Sequence, residues 1–409
     1  MKKQFKLIAL ALMAGFALVG CNDKDKTPSV SGIPSDDNAT ANPVVSSEDL
    51  NTVLPNVSYS VSTENGWKVV RLDMTGVQDP FTKDWMKLYG PTNASTQNAW
   101  IELDGVPKGF SLTNTIDELA TLPDPAVDLV FLVDNSTSMS EEADAICRDI
   151  IEWAEQLSST LDIRFACVGY GGFVSGAINL TTAPQLKDYL ENKSWMSSNV
   201  NGVWRTRGFA GSDAATLEAA ANDENYRVVS NYYSYTNWSD PDYNECGVMA
   251  LRFANDLFSF RRGANRVYVN ITDEPNQPAD KPQLFSTQWV KDNWTSTMGT
   301  IHTVYTRSAA WANDYSEYIG ENYPWDLSVY TDGTMLFTNS NFRDINGNTV
   351  KLSDLPVSGA LENSYIIRFT NVENLFDGKS HKVHMTVKSQ GSKGDIIADK
   401  TYDIVFEKD

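Results

Sequence analysis

The chain has 409 residues, room for two or three domains at ~150 residues each, and 41% hydrophobic with 11% aromatic content supports folded cores and excludes wholesale disorder. Lys and Arg number 33 against 53 Asp and Glu, a formal charge of -20, which repels phosphate backbones and anionic headgroups and argues against nucleic-acid binding. Four Cys and three His are too few for a zinc framework of any size.

Residues 1–20 join a basic start, Lys2, Lys3 and Lys6, to an apolar run from Leu7 to Val19. At ~13 residues this run is shorter than the ~20 of a spanning helix, so it reads as an export signal. The ending Leu18-Val19-Gly20-Cys21 resembles the bacterial lipobox. That resemblance implies a lipoprotein signal peptide cut before Cys21, lipidation of Cys21, and anchorage to a membrane of the bacterial cell envelope. Asn22, rather than Asp, after the Cys leans toward the outer membrane by resemblance to enterobacterial sorting. The alternative is an ordinary secretory signal with a Cys near its cut site. Residues 21–50, rich in Asp, Ser, Pro and Asn, read as a flexible tether with a reach of about 30 Å.

From 51 to 122 short alternating runs (VSYSVS, WKVVRLDM, AWIEL, GFSL) are separated by Asn65-Gly66 and Asp104-Gly105, strong hairpin signals. The stretch 123–350 has a different texture. DLVFLVD (128–134) suits a strand buried on both faces. Ala143, Ile146, Cys147, Ile150, Trp153, Ala154, Leu157 and Leu161 then form one helical stripe. IRFACVGYG, the helix CGVMALRFANDLFSF, and the strands RVYVNITD, TIHTVYT and MLFTN continue the alternation, which predicts a doubly wound, Rossmann-like α/β domain. From 355 to 409 the β texture returns around Asp377-Gly378. Neither flank, about seventy or fifty-five residues, is large enough for a comfortable core of its own. Together they predict one all-β sandwich with the α/β domain inserted in it.

Ligands of doubly wound sheets bind at the carboxyl ends of the strands. Here those ends read Asp134-Asn135-Ser136-Thr137-Ser138 and Thr272-Asp273-Glu274-Pro275. The set D-x-S-x-S, amphipathic helix and strand-terminal T-D, in that order, resembles the von Willebrand factor A family over roughly 125–340. The resemblance implies a metal-ion-dependent adhesion site built from Asp134, Ser136, Ser138 and Asp273. Its third element precedes a helix reading G-x-x-A-L, which Glu245 does here, as in the integrin β I-like domain; Gly211-Ser212-Asp213 lies too far upstream. Mg²⁺ or Mn²⁺ is the implied cofactor. Two hydroxyls fill coordination positions without neutralising the ion, which stays electrophilic toward the exposed Asp or Glu of a protein partner. A carboxylate at 245 tightens the metal and weakens that incoming group. The competing reading of Ser138-Met-Ser-Glu141 is a helix capping box. Glu141, Glu142, Asp240 and Asp242 resemble accessory, Ca²⁺-type positions of the integrin domain; they also suit a helix N-terminus and a solvated loop.

The segment between Tyr189 and Tyr243 is poor in aliphatics and rich in aromatics. Tyr232, Tyr233, Tyr235, Trp238 and Tyr243 offer rigid recognition area beside Glu245, or a lid on the domain's own edge. Cys147 and Cys167 are either a disulfide or, with Cys246, small buried hydrophobes. H-E-x-x-H, G-x-S-x-G and P-loop motifs are missing and the three His are scattered, so the expectation is a membrane-anchored, metal-dependent adhesion or protein-binding module that is not an enzyme. A periplasmic scaffolding lipoprotein and a hydrolase using Glu141 and Glu142 are the rivals.

Overall fold

Asn65 and Gly66 adopt positive φ, 51° and 84°, as a two-residue hairpin turn requires, and join β1 (Val57–Glu64) to β2 (Trp67–Met74) in unbroken register. The computed structural model describes residues 30–115, 125–191, 245–278, 282–307 and 322–408, apart from 94, 137, 141, 172, 173 and 345. It also describes the strand segments 193–194, 198–200, 203–207 and 211–212, and Phe209. A second positive-φ pair, Asp104-Gly105, links β3 (Ala99–Leu103) to β4 (Val106–Pro107), and β5 (Phe110–Asn114) follows.

The central element is β6 (Val127–Asp134), buried at all eight positions. Its odd-numbered residues Leu129, Phe131 and Val133 face one hydrophobic core, and Val130 and Leu132 face another. Such a strand needs a helix layer on each side. On the first face lie α1 (Ala143–Ser158), which buries Ala143, Ile146, Ile150, Trp153, Ala154 and Leu157, and α2 (Ala183–Glu191). The stripe read from the sequence is the packed face, except that Cys147 and Leu161 sit at its half-buried margin. Between these helices run β7 (Ile163–Tyr170) and β8 (Val174–Thr181), and beyond α2 the short β9 (Lys193–Ser194), β10 (Ser198–Val200), β11 (Val203–Arg207) and β12 (Gly211–Ser212). On the second face lie α3 (Gly247–Leu257), α4 (Thr287–Asn293) and α5 (Asp326–Tyr330). β13 (Asn265–Thr272), β14 (Thr300–Tyr305) and β15 (Met335–Phe337) complete a seven-stranded sheet of order β12-β8-β7-β6-β13-β14-β15. Five neighbouring strands, β7 to β15, run parallel, and β8 turns back antiparallel to β7.

The stretch 355–409, read from sequence as β throughout, opens with a helix, α6 (Val357–Glu362). Val357 and Leu361 pack in the α/β core, and Trp153 Nε1 donates to Ser358 Oγ at 2.7 Å. Then follow β16 (Tyr365–Phe369), β17 (Ser380–Gln390) and β18 (Asp395–Val405). They interleave with the N-terminal strands in two antiparallel sheets, β1-β2-β16-β5 and β18-β17-β3-β4, whose facing side chains share one core.

The tether expected at 21–50 is corrected over residues 30–42, which are docked on the sandwich. Asp36 accepts from the Gly109 N–H at 2.8 Å and from Asn371 Nδ2 at 2.9 Å, and pairs with the buried Lys108 at 2.5 Å. Asn42 bonds Glu102, His384 and Thr386, while Val30 and Ile33 cover Val69. Desolvated Lys108 needs a carboxylate, and composition alone does not reveal that demand. Where the sandwich meets the α/β domain, Val57 N–H donates to Ser296 O, Ser58 to Gly263 O and Asn265, and Asn56 Nδ2 to Gly299 O. These partners lie at the amino ends of β13 and β14, so the carboxyl ends point away from the sandwich. No helix among the described residues is long and apolar enough to cross a membrane. Residues 1–29, with Cys21, lie outside the described residues.

Candidate metal centre

The chain passes from β6 through α1 to β7 on one side of β6, and later returns to β13 on its other side. This reversal opens a crevice at the carboxyl ends of β6 and β13. Ile271 pairs with Val133 across the two strands, so Thr272 and Asp134 are neighbours by register. Thr272 Oγ1 donates to Asp134 Oδ2 at 2.8 Å, and the Ser136 N–H donates to Asp134 Oδ1 at 2.9 Å. Ser136 Oγ and Ser138 Oγ lie 2.9 Å apart, and Ser138 Oγ donates to Asp273 Oδ1 at 3.0 Å. Ser138 is therefore not a helix cap: α1 starts at Ala143, and its N-cap residue Glu142 makes no side-chain cap.

Glu245 enters at the start of α3. Its carbonyl accepts from the Gln277 N–H at 2.7 Å, the Cys246 N–H donates to Gly171 O, and Asn276 Oδ1 accepts from the Val248 N–H at 3.0 Å. Gly247 sits close to its neighbours: a Cβ there would lie 3.1 Å from Asn270 Oδ1 and 3.2 Å from the Tyr170 hydroxyl, which would have to shift by a few tenths of an ångström. The result is three buried carboxyls, Asp134, Glu245 and Asp273, whose oxygens lie within 4.8 Å of one another. Some point therefore lies within about 2.8 Å of all three oxygens, near the ~2.3–2.6 Å of Ca²⁺ ligands and about 0.7 Å beyond those of Mg²⁺.

Electrostatics point the same way. Burial, then Asp273, pushes Asp134 up to about 7. Burial, then Asp134, Glu274 and Asp273, pushes Glu245 up to about 11. Glu274 is raised to about 8 by burial despite Arg307, and Asp273 is raised by burial against the pull of Arg307 and Ser138. Glu245 Oε2 is buried without a hydrogen-bond partner. An orphaned carboxylate oxygen facing two further carboxyls and two hydroxyls is a donor set short of a cation, and the residues present fit one.

Two participants, Glu274 and Arg307, are not among the site residues expected from the sequence. Arg307, at the end of β14, reaches Asp273 Oδ2 at 2.6 Å and Glu274 Oε1 at 3.0 Å. Both were accessible: Glu274 follows Asp273 directly, and the strand-end rule that selected Asp273 applies equally to Thr306-Arg307 one strand over. Of the accessory residues, Glu142 is buried at the start of α1 and is not one of the three converging carboxyls. Glu141, Asp240, Asp242, Tyr232, Tyr233, Tyr235, Trp238 and Tyr243 lie outside the described residues. The backbone of Gly211–Ser212 pairs with β8 at the far edge of the sheet, four strands from β13. Cys147, Cys167 and Cys246 are thiols, which settles the disulfide alternative against a bridge; burial pushes Cys246 up to about 12.

No family model matches the chain, and no curated protein matches it. Solved structures with a partly similar course of chain include proximal thread matrix protein 1 from the mussel byssus, 13% identical over 58% of this chain and 46% of that one, with a TM-score of 0.29. The pilus adhesin SpaC from Lactobacillus rhamnosus GG in its open conformation is 9% identical over 84% and 55%, TM-score 0.33. A von Willebrand factor type A protein from Catenulispora acidiphila is 11% identical over 88% and 75%, TM-score 0.27. The chain spans about half the length of the first two.

Proposed function

We propose that this protein is a divalent-cation-dependent protein-binding module of adhesion type, held to a membrane of the bacterial envelope through lipidated Cys21. The observation that carries this reading is the buried convergence of Asp134, Glu245 and Asp273 on the Ser136 and Ser138 hydroxyls, with Glu245 Oε2 left without a partner. Ser136, Ser138 and Glu245 would hold Mg²⁺ or Mn²⁺, with Asp134 and Asp273 orienting hydroxyls behind them. Bound there, the ion supplies an electrophilic point for an exposed Asp or Glu of a partner protein. Thr272 fixes Asp134, and Arg307 offsets part of the charge on Asp273 and Glu274. With Glu245 and Glu274 present the site favours cation retention over tight carboxylate capture, so selectivity falls to the aromatic segment 232–243. The reading is one of binding and not of catalysis.

Titration calorimetry with Mg²⁺ tests it: binding to the native chain and its loss in Asp134→Ala support the reading, and no heat in either refutes it. Replacing 232–238 by Gly and Ser should keep cation affinity while abolishing capture of the partner. Cys21→Ser should release the chain from membranes.

A further inference from the structure

β1 is an edge strand of eight residues, paired to β2 from end to end without a bulge, and its sequence VSYSVSTE contains neither Lys nor Pro. Natural edges are normally blunted by such devices; here the loops at Gly263 and Ser296 meet β1 at Val57, Ser58 and Ser60, and the more exposed remainder of an edge rich in Val, Ser, Thr and Tyr invites another strand. The direction of its free groups follows from the register. The closing pair of the Asn65-Gly66 hairpin is Glu64 with Trp67, and the Val57 N–H already points away from β2, toward Ser296 O. Alternation then turns the N–H and C=O groups of Tyr59, Val61 and Thr63 outward, and among the described residues no hydrogen-bond partner meets these three amides there.

A groove of about 520 Å³ runs along this edge. In a chain of net charge -20 it is lined by Lys68, Arg261, Arg262, Arg266 and Lys408 against the single carboxylate Glu407. Arg261 is committed to Asp128 at 2.8 Å and to Asp162 at 2.6 Å. The Arg262–Glu407 pair is loose, 3.7 Å, with both side chains largely exposed. Lys68 and Arg266 lie over the rings of Phe376 and Phe260, at 4.6 and 4.3 Å, and Arg266 Nη1 also donates to Asn255 Oδ1 at 3.5 Å. We propose that this groove is a docking site for an acidic, extended segment of a partner protein, which adds to β1 as a fifth strand of its sheet. Main-chain hydrogen bonds to Tyr59, Val61 and Thr63 supply the affinity, and the basic rim selects acidic side chains while the acidic remainder of the surface repels them. The site is at the junction of sandwich and α/β domain, apart from the carboxylate cluster, and does not depend on a cation.

The test uses the full chain in EDTA with three fluorescein-labelled peptides: TETEVETE, TKTKVKTK, and TETEVETE methylated at alternate backbone nitrogens. Expected results are binding of the first alone and slowed hydrogen exchange at Tyr59, Val61 and Thr63. Affinity should fall about tenfold in Arg262→Glu/Lys408→Glu and should weaken as salt rises from 50 to 500 mM. Thr63→Pro removes one outward N–H and no β1–β2 bond, and should weaken binding several-fold with an unchanged circular dichroism spectrum. Equal affinity for the lysine peptide, or binding without protection of those amides, overturns the proposal. Protection that grows with protein concentration in the absence of peptide also overturns it, in favour of a second copy of this chain on the edge.

Discussion

Glu245→Gln separates a cation centre from a merely buried acid. Without a cation, Glu245 is held protonated by burial and by Asp134, Glu274 and Asp273, with a pKa of about 11, so at pH 7 the amide replaces a neutral carboxyl of nearly the same shape. The variant should then melt in EDTA within about 1 kcal/mol of the native chain. With a cation the exchange removes a full charge from a donor set whose oxygens lie within 4.8 Å of one another. If that costs 10- to 100-fold in affinity, the consequence follows from linkage. Mg²⁺ at ~100 times the native Kd adds about 2.7 kcal/mol to the native chain and only about 0.4–1.4 kcal/mol to the variant. For a domain of this size 1 kcal/mol moves Tm by about 2–4 °C, giving about 5–11 °C natively and about 1–6 °C in the variant. Differential scanning calorimetry in Mg²⁺ and in EDTA reads all four values. A native Tm indifferent to Mg²⁺, or a variant that keeps the whole Mg²⁺ increment, refutes the argument.

Acidity should act with opposite sign on the two states. The folded pKa values of Asp134 and Glu274, about 7 and about 8, exceed their ordinary 3.8 and 4.5, so their contribution is present at low pH and lost as pH rises through the folded values. In EDTA the Tm should therefore fall between about pH 5 and 8, less steeply in Asp134→Asn, while the Mg²⁺ increment grows over the same window; a slope unchanged by the substitution would contradict this. Asp36→Ala strands Lys108, whose side chain is 3% exposed, and should cost about 2–4 kcal/mol in urea titrations while opening residues 30–42 to limited proteolysis. Arg261→Met leaves Asp128 buried at the base of β6 with the residue-261 N–H but without its guanidinium partner and should cost about 3 kcal/mol, with the double change Asp128→Asn/Arg261→Met restoring part of it. His381 is pulled down by burial but raised overall by Asp104 and Asp377 on its two nitrogens, so its stabilising charge is present at low pH and lost as pH rises through its folded value. An NMR titration of its ring should give a midpoint above the ordinary histidine value, and Asp104→Asn should lower it.

Whatever is local was legible in the chain. An unbroken apolar run of five residues, Leu129 to Val133, has no polar face to offer to water, which places β6 in the interior of its sheet rather than at an edge. The stripe through Ile146, Ile150 and Trp153 needs a helix to share one face. Asn65-Gly66 and Asp104-Gly105 turn because Gly accepts positive φ and Asn or Asp tolerates it. Asp134, Ser136 and Ser138 keep their relation because they occupy one turn.

Tertiary structure decided what depends on partners distant in sequence. Asp273 reaches Ser138 only because β13 chose β6 as its neighbour, and Arg307 reaches Asp273 only because β14 stands beside β13. Trp153 draws 357–362 into a helix on the α/β core, although the surrounding residues are β in texture. The docking of 30–42 includes a carboxylate for one lysine that the fold desolvates, and no composition rule can see a desolvation penalty before the fold creates it. The spacing of residues along a chain sets periodicity and turns, whereas burial, and with it the demand for a counter-charge, belongs to the assembled molecule.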